Sequence, residues 1–217
     1  LMLDNVIDVN LNVGGTALMM AASEGQAAVI ELLLKTKDID VNAVESSTGG
    51  NALQAAALMG HTEVVKLLLQ KAGINANLPS NEGFTPLMLA ARAGHGAVVD
   101  LLLADASVDI NVVDGSGDNV LTTVLGIGNT AIATSLLNSA KSVDVNHQNS
   151  AKFTPLMLSS LLGLTATADA LLHKNVDVNM KGNDEWTALL YAIAKGHTAI
   201  VKLLLSVEGV DINAACA

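Results

Sequence analysis

The sequence predicts an all-α repeat protein. Three observations carry that prediction: a motif recurring about every 34 residues, a capping residue at the head of each copy, and a glycine at a fixed distance behind it. The heads are Thr16, Asn51, Thr85, Asn119, Thr154 and Thr187, spaced 35, 34, 34, 35 and 33 residues apart. Each is followed two positions on by leucine: Leu18, Leu53, Leu87, Leu121, Leu156 and Leu189. Such a period marks supersecondary units that bury their apolar faces by stacking on one another.

Every element of the unit has a physical reason. Thr and Asn both accept a hydrogen bond from the free N–H groups at a helix start, so their alternation preserves a cap. Pro86 and Pro155 follow their caps, where a fixed φ helps and the missing N–H costs nothing. Nine residues after each cap stands a glycine (Gly25, Gly60, Gly94, Gly128, Gly163, Gly196), placed to end a short helix in a left-handed turn. A second apolar helix follows with a leucine pair, from Leu33–Leu34 in the first copy to Leu204–Leu205 in the last. Then comes an extended Asp-Val-Asn-like segment, as at 40–42, 109–111 and 177–179, and a projecting Asx- and glycine-rich turn.

The unit resembles the ankyrin repeat, and the resemblance covers essentially the whole chain. The best copies read TPLMLAARAGHGAVVDLLL from Thr85 to Leu103 and NALQAAALMGHTEVVKLLL from Asn51 to Leu69. It implies one solenoid domain over 1–217, built of stacked antiparallel helix pairs with short β-hairpin fingers and a concave face of finger tips and first helices. Partial copies at 1–10 and 210–217 flank the six full ones and imply a piece of a longer array. Two departures matter. The histidine expected after Thr-Pro-Leu is replaced by Met19, Gln54, Met88, Thr122, Met157 and Leu190, which puts its hydrogen bonds between loops in doubt. The small pair that lets helices approach is kept as Ala21–Ala22, Ala56–Ala57 and Ala90–Ala91, partly kept as Ala192–Ile193, and lost as Val124–Leu125 and Ser159–Ser160.

Composition narrows the function. Half the residues are hydrophobic but only 2% aromatic, so the core is aliphatic. Mean hydropathy is +0.47, yet the most apolar stretch, Leu156 to Leu172, is broken by Ser159, Ser160, Thr165, Thr167 and Asp169, against the roughly 20 apolar residues a membrane span needs. No signal-peptide pattern opens the sequence. Cys216 is the only cysteine, so a disulfide-stapled fold is excluded and a reducing, cytoplasmic setting is expected. A net charge of −10 opposes nucleic-acid binding.

No catalytic constellation, cofactor site or metal site stands out. His61, His95 and His197 each follow a turn glycine and read as structural, and one cysteine cannot complete a zinc deaminase motif. Gly14–Gly15, Gly49–Gly50 and Gly115–Gly117 lack the Lys-Ser/Thr of a phosphate loop. Met19, Met88 and Met157 read as core filling.

Two features point to partner contact. Phe84, Phe153 and Trp186 each precede a cap threonine, and the alternative reading is that they pack on adjacent fingers. At the end of the first helix, the pairs seven and eight residues after the cap are expected to be exposed, among them Leu58, Met59, Arg92, Ile127, Leu161, Leu162 and Lys195. The fingers carry Glu45, Glu82, Asp114, Asp118, Asp184 and Glu185 against Lys152 and Lys181. A monomer binding a protein partner with basic and apolar anchors is therefore expected. A structural spacer or self-assembling scaffold and, more weakly, a regulatory domain of a larger enzyme are the alternatives. The resemblance also implies that Asn42, Asn77, Asn111, Asn146 and Asn179 match the position modified by asparaginyl hydroxylases.

Overall fold

The computed structural model describes residues 8–12 and 14–214. Most of the amino-terminal partial copy lies outside them, as does Cys216. The chain divides into two compact units, residues 1–108 and 109–217. Unit 1 holds three helix pairs: α1 (Ala17–Ser23) with α2 (Ala27–Leu34), α3 (Ala52–Met59) with α4 (Thr62–Leu69), and α5 (Pro86–Ala93) with α6 (Gly96–Ala104). Unit 2 holds α7 (Val120–Gly126) with α8 (Thr130–Asn138), α9 (Pro155–Leu162) with α10 (Thr165–Leu172), and α11 (Ala188–Ala194) with α12 (Thr198–Leu205). Among the described residues the first helix of each pair begins directly after its expected cap residue.

These helices run 7 to 9 residues, below the roughly 12–15 at which an isolated helix holds in water, so capping and stacking must supply their stability. At α3 the Asn51 side chain accepts from the Gln54 amide (2.9 Å) while Gln54 Oε1 accepts from the Asn51 amide (2.9 Å), a reciprocal box. Its end is Gly60 at φ 79°, whose N–H reaches Ala56 and Ala57. All six turn glycines lie between φ 69° and 83°. Thr187 departs from the expected pattern: its hydroxyl makes no cap bond and is buried without a partner.

Inside unit 1, α1, α3 and α5 pack side by side with α2, α4 and α6 behind them. Leu53, Ala56, Ala57, Val65 and Leu68 are completely buried, as are Ala90 and Ala91. Each fully buried leucine contributes about 1.5–3 kcal/mol relative to exposure. In unit 2 the same layer is filled by Val124 and Leu125 in α7 and by Ser159 and Ser160 in α9, all with no exposed surface. Bulk and hydroxyls thus stand where the small pair is lost. Ser159 satisfies its hydroxyl on the Pro155 carbonyl (2.9 Å), but Ser160 and Thr167 leave theirs unpaired.

Consecutive copies are joined by asparagine. The Asn42 carboxamide donates to the Gly73 carbonyl (2.7 Å) and accepts from the Asn75 amide (2.8 Å). Asn10 makes the same bridge to Asp38 and Asp40 in unit 1. In unit 2 it is made by Asn111 to Ser142 and Asp144, by Asn146 to Asn175 and Asp177, and by Asn179 to Gly209 and Asp211. Asn77 donates to Ser107.

The fingers are hairpin turns closed by one or two backbone hydrogen bonds, such as Glu45 N–H to Gly50 O (2.8 Å) and Ser80 N–H to Phe84 O (3.0 Å). Among the described residues they contain no strand ladder. In unit 1 the missing histidine is replaced at one place: Gln54 Nε2 donates to the Leu78 carbonyl (2.9 Å) and the Phe84 carbonyl (2.7 Å), and so restores a bond between loops.

Candidate protein-binding surface

The fourth residue after each cap differs in burial from copy to copy, from exposed Met20 to buried Tyr191. In unit 1 these residues are Met20, Ala55 and Leu89, and together with Leu58, Phe84 and Met19 they line a groove of about 550 Å³. Its other wall is made by the fingers, with Ser47, Thr48, Ser80 and Asn81 between the carboxylates of Glu45 and Glu82. No lysine or arginine lines it. The Ser47 and Thr48 hydroxyls donate to Glu45, Ser47 having the larger effect, and hold its carboxyl below the usual range. Beside the groove the Arg92 guanidinium lies over the Phe84 ring, 4.3 Å from its centroid.

Unit 2 carries a different arrangement. Tyr191, the fourth residue after Thr187, is nearly buried between Phe153 and Trp186, with both ring centroids at 5.3 Å. Its hydroxyl donates to Asp184, 2.8 Å from either carboxylate oxygen. Burial first, then that carboxylate, push the phenol well above the ordinary tyrosine range. Asp184 also accepts from the Trp186 amide (3.2 Å). Sequence reasoning singled out Phe153 and Trp186 but missed Tyr191, whose signal was an aromatic at the position that Met20 and Leu89 hold elsewhere.

Leu58, Met59, Ile127 and Leu162 are exposed apolar groups, and Arg92 and Lys195 are exposed too. Leu161 is half-buried, and Leu162 is the more exposed of that pair. Phe84, Phe153 and Trp186 are half-buried, each against a partner within its own unit. The five asparagines Asn42, Asn77, Asn111, Asn146 and Asn179 are the bridging residues described above. The rings of His61, His95 and His197 bond the Ser23, Leu58 and Leu161 carbonyls. Among the described residues no His, Cys, Asp and Glu group is arranged to hold a metal, and no helix is long and apolar enough to cross a membrane.

Repeated helix pairs, capped at fixed positions and bridged by asparagine, define an ankyrin-type fold, and the family model for ankyrin repeats (3 copies) matches residues 18–114, 99–182 and 121–216. The chain belongs to the ankyrin repeat family, whose members are generally protein–protein interaction modules. It is similar to the crystal structure of EF0377, an ankyrin repeat protein, at 26% identity and TM-score 0.79 over 88% of this chain and 96% of that one. It is also similar to an ankyrin repeat domain (ABAYE2397) from Acinetobacter baumannii AYE, at 25% identity and TM-score 0.77 over 87% and 95%. The ankyrin repeat domain of Bcl-3, a member of the IkappaB protein family, shares the fold at 20% identity and TM-score 0.81 over 94% and 90%. No curated protein matches the chain.

Proposed function

We propose that this chain is a non-catalytic, monomeric binding module of the cytoplasm whose six copies act as one domain and which takes a protein partner on its finger and first-helix surface. The observation that carries this reading is the unit 1 groove. Its floor of Met20, Ala55, Leu58, Leu89 and Phe84 suits an apolar side chain, and its acidic edge at Glu45 and Glu82 suits flanking lysine or arginine. Exposed apolar side chains concentrated on one surface mark an interaction site, and a charged rim sets partner choice and encounter rate more than raw affinity. The net charge of −10 adds to the same preference and disfavours nucleic acid.

The test is selection of displayed random peptides against the chain, with a Leu58→Lys variant as counter-target. Enriched sequences should combine an apolar residue with basic neighbours and lose affinity for the variant at least about tenfold, the scale of a buried anchor. Binders indifferent to Leu58→Lys would move the site elsewhere. Light scattering over a dilution series separates this reading from the self-assembling scaffold, since a monomer keeps constant mass. The resemblance carries one more proposal, hydroxylation of Asn42, Asn77, Asn111, Asn146 and Asn179. Because their carboxamides are engaged in bridges, the modification requires local opening, and intact-mass spectrometry after incubation with an asparaginyl hydroxylase would detect added oxygen.

A further inference from the structure

In one copy, the third, the residue before the cap and the residue seven after it meet in space. These are Phe84 and Arg92, and the guanidinium covers the ring at 4.3 Å. In the sixth copy the same two positions hold Trp186 and Ala194. Ala194 is exposed and ends at Cβ, so this position carries no group that could cover the indole as Arg92 covers Phe84. Among the described residues no cation lies over Trp186, although indole is the strongest of the aromatic partners for one.

A negative charge stands nearby. Asp184 is exposed, and its carboxylate is held by the Trp186 amide and by the hydroxyl of Tyr191, whose ring packs on the indole. The neighbouring Glu185 is already paired with Lys181 at 3.1 Å, whereas Asp184 has no ion pair among the described residues. A ring face and a fixed carboxylate together match a planar guanidinium, which stacks and donates a fork of N–H groups, better than a compact ammonium.

We propose that the Trp186 ring and the Asp184 carboxylate receive an arginine side chain of a protein partner, in the role that Arg92 plays over Phe84. The proposal rests on the protein-binding reading and gives it a specific contact in unit 2.

Trp186 is the only tryptophan, so its fluorescence reports on the site directly. The probe is acetyl-Gly-Arg-Gly-amide, with the neutral citrulline peptide as its isostere. The arginine peptide should change the emission saturably and the citrulline peptide should not. Asp184→Asn should weaken binding about tenfold, the scale of one charge-assisted hydrogen bond. Ala194→Arg should supply the guanidinium internally, shift the emission of the free protein, and abolish the peptide response. Ala194 is an exposed helix position, so this variant decides even where Asp184→Asn proves unstable. Equal responses to both peptides, or an unchanged response in Ala194→Arg, would overturn the proposal. If that happens while groove-directed peptides are still selected by unit 1, only the arginine contact falls; if neither peptide class binds, the protein-binding reading falls with it.

Discussion

His61 lies directly against Gly25: a Cβ built on that glycine would stand 2.6 Å from the ring's Nδ1, while Nε2 donates to the Ser23 carbonyl at 2.8 Å. His95 covers Gly60 and His197 covers Gly163 in the same way. Gly128 has the same left-handed backbone at φ 75° but open space around it, and the next copy offers Leu164 where those three are met by histidine. Gly60→Ala should therefore cost the left-handed strain of about 1 kcal/mol plus displacement of the ring, about 2–3 kcal/mol in all. Gly128→Ala should cost about 1 kcal/mol. Urea unfolding of the two variants checks this, and equal losses would contradict a role for the histidine.

Ser160 and Ser159 are adjacent and fully buried, yet only Ser159 has a hydrogen-bond partner. Removing an unpaired buried hydroxyl relieves a desolvation cost. Ser160→Ala should raise stability by about 1 kcal/mol, while Ser159→Ala should be neutral or unfavourable. The same orphan groups, with the β-branched Val120, Thr122, Thr123 and Val124 of α7, predict faster amide exchange over residues 119–172 than over 51–103. Uniform protection would count against it.

Tyr191 is the only tyrosine, so alkaline difference absorbance follows it alone. Its folded-state acidity is weakened, which means the native state holds this proton more tightly than the unfolded chain does. The associated stability is complete below the ordinary tyrosine value of about 10 and is lost as pH rises beyond it. Phenolate should appear only well above pH 10, or together with unfolding. Asp184→Asn should bring that transition down in part, since burial, the larger cause, remains.

Trp186 packs on Tyr191, so Trp186→Ala should lower the unfolding midpoint as well as partner binding. The two effects separate when binding is measured where the variant is still folded: an affinity equal to the parent's there would leave Trp186 a purely structural role. Lys202→Ala, at an exposed position of α12, should change neither.

Much of this was legible because it is local. The cap residues, the turn glycines and the histidines after them appear at fixed offsets, and each has its conformational reason within a few positions. What escaped was set by side chains meeting across elements. Nothing in the sequence showed Tyr191 joining Phe153 and Trp186, or Arg92 reaching Phe84, because both depend on how a finger folds over its helix. The loss of histidine at position 54 suggested a lost bond, whereas glutamine reaches two carbonyls of the next finger. The Thr187 cap failed although its neighbours obey the pattern, and the sequence holds no sign of it.

The asparagine bridges constrain how such a chain can grow. They span 30 to 33 residues, as in Asn10–Asp40, Asn42–Asn75, Asn111–Asp144 and Asn179–Asp211. A duplication or deletion of one whole period hands every carboxamide an equivalent acceptor and donor. A half-period change strands both ends of a bridge at once. Unequal recombination between copies is thus filtered by hydrogen bonding, so the length of such a chain changes without loss of bridges only in whole steps.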